Sequence, residues 1–118
     1  MVGHFEKFRK FAAQGVVASS YEELGGGRFD IVINATSAGL SDAMPPLPRG
    51  VFAPGALAYD MVYGKRTPFM RFATDERARA ADGLGMLVEQ AAESFFIWRG
   101  VRPETQPVIR LLRQKAEG

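Results

Sequence analysis

Apolar side chains recur with two distinct periods along this chain, and the two alternate. Phe5, Phe8, Phe11 and Ala12 stand at i, i+3, i+6 and i+7, which predicts an amphipathic helix over 4–14 stopped by Gly15. Val16 to Ser20 is a short β-type run. Ser20 then caps a brief helix at 21–24, with Glu23 at the capping-box position, before Gly25-Gly26-Gly27 ends it. Phe29-Asp30-Ile31-Val32-Ile33-Asn34 is mostly continuous apolar sequence, the pattern of a strand buried on both faces. It runs into small polar residues, Ala35-Thr36-Ser37-Ala38-Gly39.

Residues 42–55 hold four prolines and two glycines and predict a loop that can include a short helical turn. Ala56 to Tyr63 predicts the next strand, ending at Gly64-Lys65-Arg66. Thr67 is a cap for a helix beginning at Pro68, where a missing N–H does no harm, and running to about Arg77. Residues 79–82 are extended and lead to Asp82-Gly83-Leu84-Gly85. A helix from Met86 to Arg99 follows, with Leu87, Ala91, Phe95 and Trp98 as one stripe. Phe96 and Ile97 widen that stripe, so the helix is expected to be buried on most sides. Gly100 stops it, and Pro103 is the expected start of a last helix with Val108, Leu111 and Leu112 as its apolar face. Helix alternating with strand signals a parallel α/β sheet.

Composition narrows the function classes. At 118 residues, 47% of them hydrophobic, the chain supports about one domain. No apolar run approaches the roughly 20 residues needed to cross a bilayer, and Met1-Val2-Gly3-His4 lacks a signal-peptide core. No membrane association and a cytoplasmic location are expected. With no cysteine and a single histidine, His4, neither a disulfide nor a metal centre is expected. The net charge is only +2 and the basic residues are scattered, so nucleic-acid binding is not expected.

The chemistry concentrates at two places. One is the end of the 29–34 strand, because parallel α/β sheets bind ligands beyond the carboxyl ends of their strands. The other is the glycine junction at 82–85, where low side-chain bulk lets a ligand approach the backbone and leaves helix amides free for an anion. Gln90 places a polar amide among apolar neighbours, and a buried or ligand-facing amide there needs a partner. Each residue also has a plain structural reading: Asn34 closes an Asx-turn, Tyr63 caps a strand, and Gln90 satisfies a helix contact.

Three segments together resemble shikimate dehydrogenase: Asn34-Ala35-Thr36-Ser37-Ala38-Gly39; Tyr59-Asp60-Met61-Val62-Tyr63 followed by Thr67-Pro68-Phe69; and Asp82-Gly83-Leu84-Gly85-Met86-Leu87-Val88-Glu89-Gln90-Ala91-Ala92. They stand in family order with family spacing, and the similarity runs from about residue 4 to the C-terminus. The resemblance implies an NADP-dependent oxidoreductase that moves a hydride between NADPH and 3-dehydroshikimate, giving shikimate for aromatic amino-acid (chorismate) biosynthesis. It implies a truncated Rossmann-type parallel sheet with C-terminal helices. Residues 1–84 would be part of the NADP-binding domain, and residues 85–118 helices that pack toward a substrate domain. It assigns Asn34, Ala35, Thr36, Ser37, Met61 and Gly83 to the cofactor, and Tyr63 and Gln90 to the hydroxyls or carboxylate of shikimate. No catalytic residue and no metal ligand is carried over.

Two family features do not occur in this sequence. The Gly-x-Gly-x-x-Gly/Ala turn that holds a pyrophosphate is missing, and Gly25-Gly26-Gly27 does not replace it, since a strand and not a helix follows. The family's catalytic lysine and aspartate belong to its substrate domain, and Lys65 and Asp82 do not sit in the matching motifs. The expectation is therefore a C-terminal portion of the enzyme, inactive alone. In the 3-2-1-4-5-6 strand order the first two strands would be lacking, so residues 16–20 would lose a sheet neighbour and 29–34 would become an edge. Phe95, Phe96, Trp98, Leu111 and Leu112 would lack part of their cover, which predicts a homodimer or domain-swapped assembly. Two alternatives stay open: a non-catalytic half-Rossmann module for oligomerisation or regulation, and a quinate-using relative.

Overall fold

A computed structural model describes residues 14–117. The helix expected over 4–14 lies outside the described residues but for its last position. Three strands form one parallel sheet in the order β1-β2-β3: β1 is Phe29–Asn34, β2 is Phe52–Asp60 and β3 is Arg79–Ala81. Helix α1, Pro68–Asp75, connects β2 to β3. Helix α2, Leu84–Arg99, follows β3, and α3, Gln106–Glu117, closes the chain. The expected parallel α/β architecture is the one observed.

Local sequence accounts for most element ends. Ser20 and Glu23 exchange side-chain-to-backbone hydrogen bonds, Ser20 N to Glu23 Oε2 at 2.9 Å and Glu23 N to Ser20 Oγ at 3.2 Å, the expected capping box. It opens a 3₁₀ turn, Glu22–Leu24. Thr67 is extended and accepts from Met70 N, with Pro68 in the first helical position. α1 ends two residues earlier than expected. Arg77 takes a left-handed φ of 64°, its N–H reaches Thr74 O, and Ala78 N reaches Ala73 O at 2.8 Å. That is a Schellman end with arginine where glycine is usual.

The core lies between β2 and α1. Phe69 and Ala73, one turn apart on α1, are buried against Ala56, Ala58, Val51 and Phe52. Phe52 packs on both Phe69 and Phe72, with ring centroids 6.5 and 5.9 Å apart. Alanines on the strand and on the helix face let the two backbones come close.

Several expectations need correction. Residues 16–20 form no strand; a short apolar run with no sheet partner has nothing to satisfy its backbone groups. β1 is not buried on both faces. Among the described residues it is instead the edge strand that 29–34 is also expected to become, and Ile31 and Ile33 are 61% and 60% exposed. Only the face carrying Val32 and Asn34, in register with Ala58 and Asp60, turns to the core. β2 begins at Phe52 and not at Ala56, passing Pro54 and Gly55 through a bulge that lies between the pairs Phe29–Phe52 and Ile31–Leu57. A bulge has no ladder bond for proline to break. β2 also stops at Asp60, which leaves Met61 to Tyr63 beyond the strand.

In α2 the buried stripe is Leu84, Val88 and Ala92, whereas Ala91, Phe95, Phe96, Ile97 and Trp98 are exposed. The densest apolar side chains of α2 therefore face outward. α3 starts at Gln106 and not at Pro103, and it buries no residue.

Candidate functional site at the carboxyl edge of the sheet

Each strand of the sheet ends in, or is followed directly by, an acidic or amide side chain that folds back on its own chain. Asn34 Oδ1 accepts from Thr36 N at 3.1 Å, Asp60 Oδ1 from Val62 N at 3.0 Å, and Asp82 Oδ1 from Leu84 N at 3.2 Å. These are three Asx-turns side by side. Neighbouring turns are joined through the main chain: Met61 N donates to Asn34 O and Gly83 N to Val62 O, both at 3.2 Å. The loops after β1, β2 and β3 thus form one continuous backbone floor at the end of the sheet where ligands bind in this architecture.

Asp60 holds that floor from beneath. It is fully buried, and its Oδ2 accepts from Thr67 Oγ1 at 2.6 Å and from Asn34 Nδ2 at 3.3 Å. With Val62 N on Oδ1, the carboxylate has three donors, which is what a buried charge needs. Thr67 is itself buried and caps α1, so the helix start, the end of β2 and the turn after β1 share one network. Gly39 completes the packing: a Cβ there would lie 3.1 Å from Thr67 Cγ2 and 3.3 Å from Val62 Cγ2.

The expected cofactor residues come together on this floor. Asn34 is buried, its Oδ1 also accepting Thr36 Oγ1 at 2.7 Å. The plain reading of Asn34 as an Asx-turn is correct, and that turn is what presents Ala35, Thr36 and Ser37 outward, all exposed. Met61 is half-exposed just past β2, with buried Gly83 against its carbonyl.

Of the two expected substrate residues, Tyr63 lines a cleft and Gln90 does not. Tyr63 is half-exposed, in the loop three residues past the strand it was expected to cap. It lines a cleft of about 650 Å³ with Met70, Leu84, Leu87, Leu112 and Arg113 among its other walls. Gln90 is exposed on α2 and is not part of that wall.

Sequence reasoning missed Asp60, Thr67 as its buried partner, and the pair Asp82–Arg113. The readable signal was a lone carboxylate closing an apolar strand. Arg113 binds Asp82 through both guanidinium nitrogens, at 2.9 and 3.2 Å, and ties α3 to the glycine junction. That hydrogen bond holds the guanidinium above its ordinary pKa. No group of acidic or histidine side chains suited to a metal ion occurs among the described residues.

Residues 83–113 match the family described as the shikimate 5'-dehydrogenase C-terminal domain. The chain is also 62% identical, over 108 residues, to the NADP(+) shikimate dehydrogenase of Nitrosospira multiformis. The chain is thus similar to the C-terminal part of shikimate dehydrogenases. That alignment covers 89% of this chain and 39% of the Nitrosospira protein, so the chain spans about two fifths of the length of such a relative. Among solved structures, the chorismate mutase/shikimate 5-dehydrogenase fusion of Clostridium acetobutylicum superposes with a TM-score of 0.82 at 29% identity, covering 97% of this chain and 43% of that one. The shikimate 5-dehydrogenase of Thermus thermophilus, solved with NADP(H) and shikimate, gives 0.71 at 31% identity, covering 88% and 40%. The expected Rossmann-type parallel sheet is therefore a fold this chain shares with those structures.

Proposed function

We propose that this chain is the nicotinamide-side portion of an NADP-dependent shikimate dehydrogenase, which reduces 3-dehydroshikimate to shikimate. The single observation behind this reading is the joined floor, Met61 N to Asn34 O and Gly83 N to Val62 O, which gathers three motifs distant in sequence at one sheet edge. Residues 1–84 serve as the partial dinucleotide-binding unit and 85–118 as the helices facing a substrate domain.

The residues present fit one half of a dinucleotide. Thr36 and Ser37 are exposed and Met61 is half-exposed, a surface of modest bulk on which a nicotinamide ring can lie flat. When bound, the cofactor supplies the hydride. Asn34, Ala35, Thr36, Ser37, Met61 and Gly83 orient it. Tyr63 and Gln90 hydrogen-bond the polyhydroxylated acid, with Gln90 meeting it on the side of a substrate domain. No residue here is assigned the proton transfer, so the chain alone is inactive, and purified protein that oxidises shikimate with NADP would disprove this.

Cofactor choice follows the relatives, which are named for NADP(+). A quinate-using relative is the closest alternative, and a shikimate dehydrogenase is preferred because the relatives carry that name. A cytoplasmic location suits a soluble-cofactor reductase, and no helix among the described residues is long and apolar enough to cross a membrane. Calorimetric titration with NADP and then shikimate tests the site: heat abolished by Met61→Asp supports it, while heat unchanged by that substitution and by Tyr63→Phe places binding elsewhere.

A second reading, an oligomerising module, draws on exposed Ile31, Ile33, Phe95 and Trp98. We propose a homodimer or swapped assembly through that edge or those helices in either case.

A further inference from the structure

We propose that Asp60 is the positioning residue of this site: a buried carboxylate that touches no ligand but fixes where the turn after β1 presents Thr36 and where Met61 lies. The use of that turn by a cofactor rests on the function proposed above, but the hold of Asp60 on the turn does not.

Asp60 lies directly across from Asn34 in the parallel register, and it is 0% exposed, so no ligand reaches it. Its three donors come from three different segments: Asn34 Nδ2 from β1, Val62 N from the loop after β2, and Thr67 Oγ1 from the start of α1. The contact to Asn34 decides which way the Asn34 amide faces. With Nδ2 committed to Asp60 Oδ2, Oδ1 is turned to the loop, where it accepts both Thr36 N and Thr36 Oγ1. Thr36 Oγ1 in turn accepts from Ala38 N at 3.2 Å. One carboxylate thereby dictates an amide orientation, then a backbone turn, then a hydroxyl direction. The contact to Val62 N fixes Met61 from its other side, and Gly83 N anchors to Val62 O.

An asparagine at position 60 cannot do this. Three donors already point at the carboxylate, so an amide NH₂ must face one of them, and a buried mismatch of that kind is costly. The cheapest escape is to flip Asn34, which reverses Oδ1 and Nδ2 and leaves Thr36 N without its acceptor.

Amide hydrogen exchange and the ¹⁵N–¹H spectrum of the 118-residue protein test this, with NADP as added ligand in a second step. In Asp60→Asn, exchange at Thr36 N and Val62 N speeds up at least ten-fold and the Asn34 side-chain amide shifts, while Ala58 N in β2 keeps its protection. Thr67→Val, which removes one donor, releases Asp60 less and gives a smaller change; Thr67→Ser restores wild-type exchange. A residue that adds only stability would speed exchange across the sheet together and spare the Asn34 amide, and that result overturns the proposal. Unchanged exchange at Thr36 in Asp60→Asn also overturns it. If Asp60→Asn does not fold, Thr67→Val against Thr67→Ser carries the same comparison: an Asn34 amide unmoved in Thr67→Val overturns the proposal. NADP-induced shifts at Thr36, Ser37 and Met61, present in wild type and lost in the variant, extend the proposal to the cofactor. Fast exchange in the variant with no NADP shifts in wild type upholds Asp60 and brings down the cofactor assignment instead.

Discussion

Gly83 lies so close to Met61 that a Cβ on Gly83 would stand 2.3 Å from the Met61 carbonyl oxygen and 2.8 Å from its carbon. The contact is backbone against backbone, so no rotamer change relieves it. Gly83→Ala must therefore push α2 away from the loop after β2, at a cost of about 1–3 kcal/mol. Gly85, two residues on and with nothing within 4 Å of its would-be Cβ, is the internal control. Gly85→Ala in the first turn of α2 is expected to stabilise by up to about 1 kcal/mol. Urea unfolding of the two variants gives opposite signs; a neutral Gly83→Ala would mean that the junction has slack.

Arg77 holds a left-handed conformation, φ 64°, at the end of α1. Glycine adopts it without a Cβ penalty, so Arg77→Gly is expected to raise stability by roughly 0.5–1 kcal/mol. A rise in the thermal midpoint checks this. A fall would show that the arginine side chain contributes more than its backbone conformation costs.

α3 buries no residue and is tied by the Asp82–Arg113 pair, while the linker before it is held by Glu89–Thr105 at 2.6 Å and Glu93–Arg102 at 2.6 Å, with Arg102 also 4.6 Å over the Phe96 ring. Arg113 is half-exposed, so Arg113→Met should cost the whole domain less than about 1 kcal/mol. Its local effect is larger. Trypsin is expected to cut at Arg110 several-fold faster in the variant, with the midpoint of global unfolding nearly unmoved. Equal cleavage rates would show that the ion pair does not hold the helix.

Ile31 and Ile33 project from an edge strand, and the only tryptophan, Trp98, is 76% exposed. Sedimentation velocity is expected to show association that rises with concentration. Ile33→Lys weakens it if the strand edge is the interface. A blue shift of Trp98 emission with concentration instead places the interface on α2. A monomer throughout, with fixed emission, rules out both.

Much of this fold is legible where a signal is local. The Ser20–Glu23 box, the Thr67-Pro68 start and the Gly100 stop each depend on residues within one turn. The apolar run marks β1 end to end. Cover is what periodicity alone misreports. Periodicity says that Phe95 and Trp98 are apolar, not that anything packs on them, and the true buried stripe of α2 is the less conspicuous Leu84, Val88 and Ala92. The start of β2 was hidden because proline and glycine read as loop, whereas a bulge accommodates both. In the site, the motifs give roles to Asn34 to Ser37, Met61 and Gly83, but none to Asp60, which lies inside one of them. Its role depends on partners 26 residues before and 7 after it, and no local pattern reports such contacts.

Three neighbouring strands leave the sheet through the same kind of turn, and the turns are linked by main-chain hydrogen bonds. A frame built from amides and carbonyls is indifferent to most side chains that point away from it. Ser37, Met61, Tyr63 and Gln90 can drift while the frame keeps its shape, whereas Asp60, Thr67, Gly39 and Gly83 cannot. Such a chassis can change what it holds by small steps, each a single outward substitution, without passing through an unfolded ancestor.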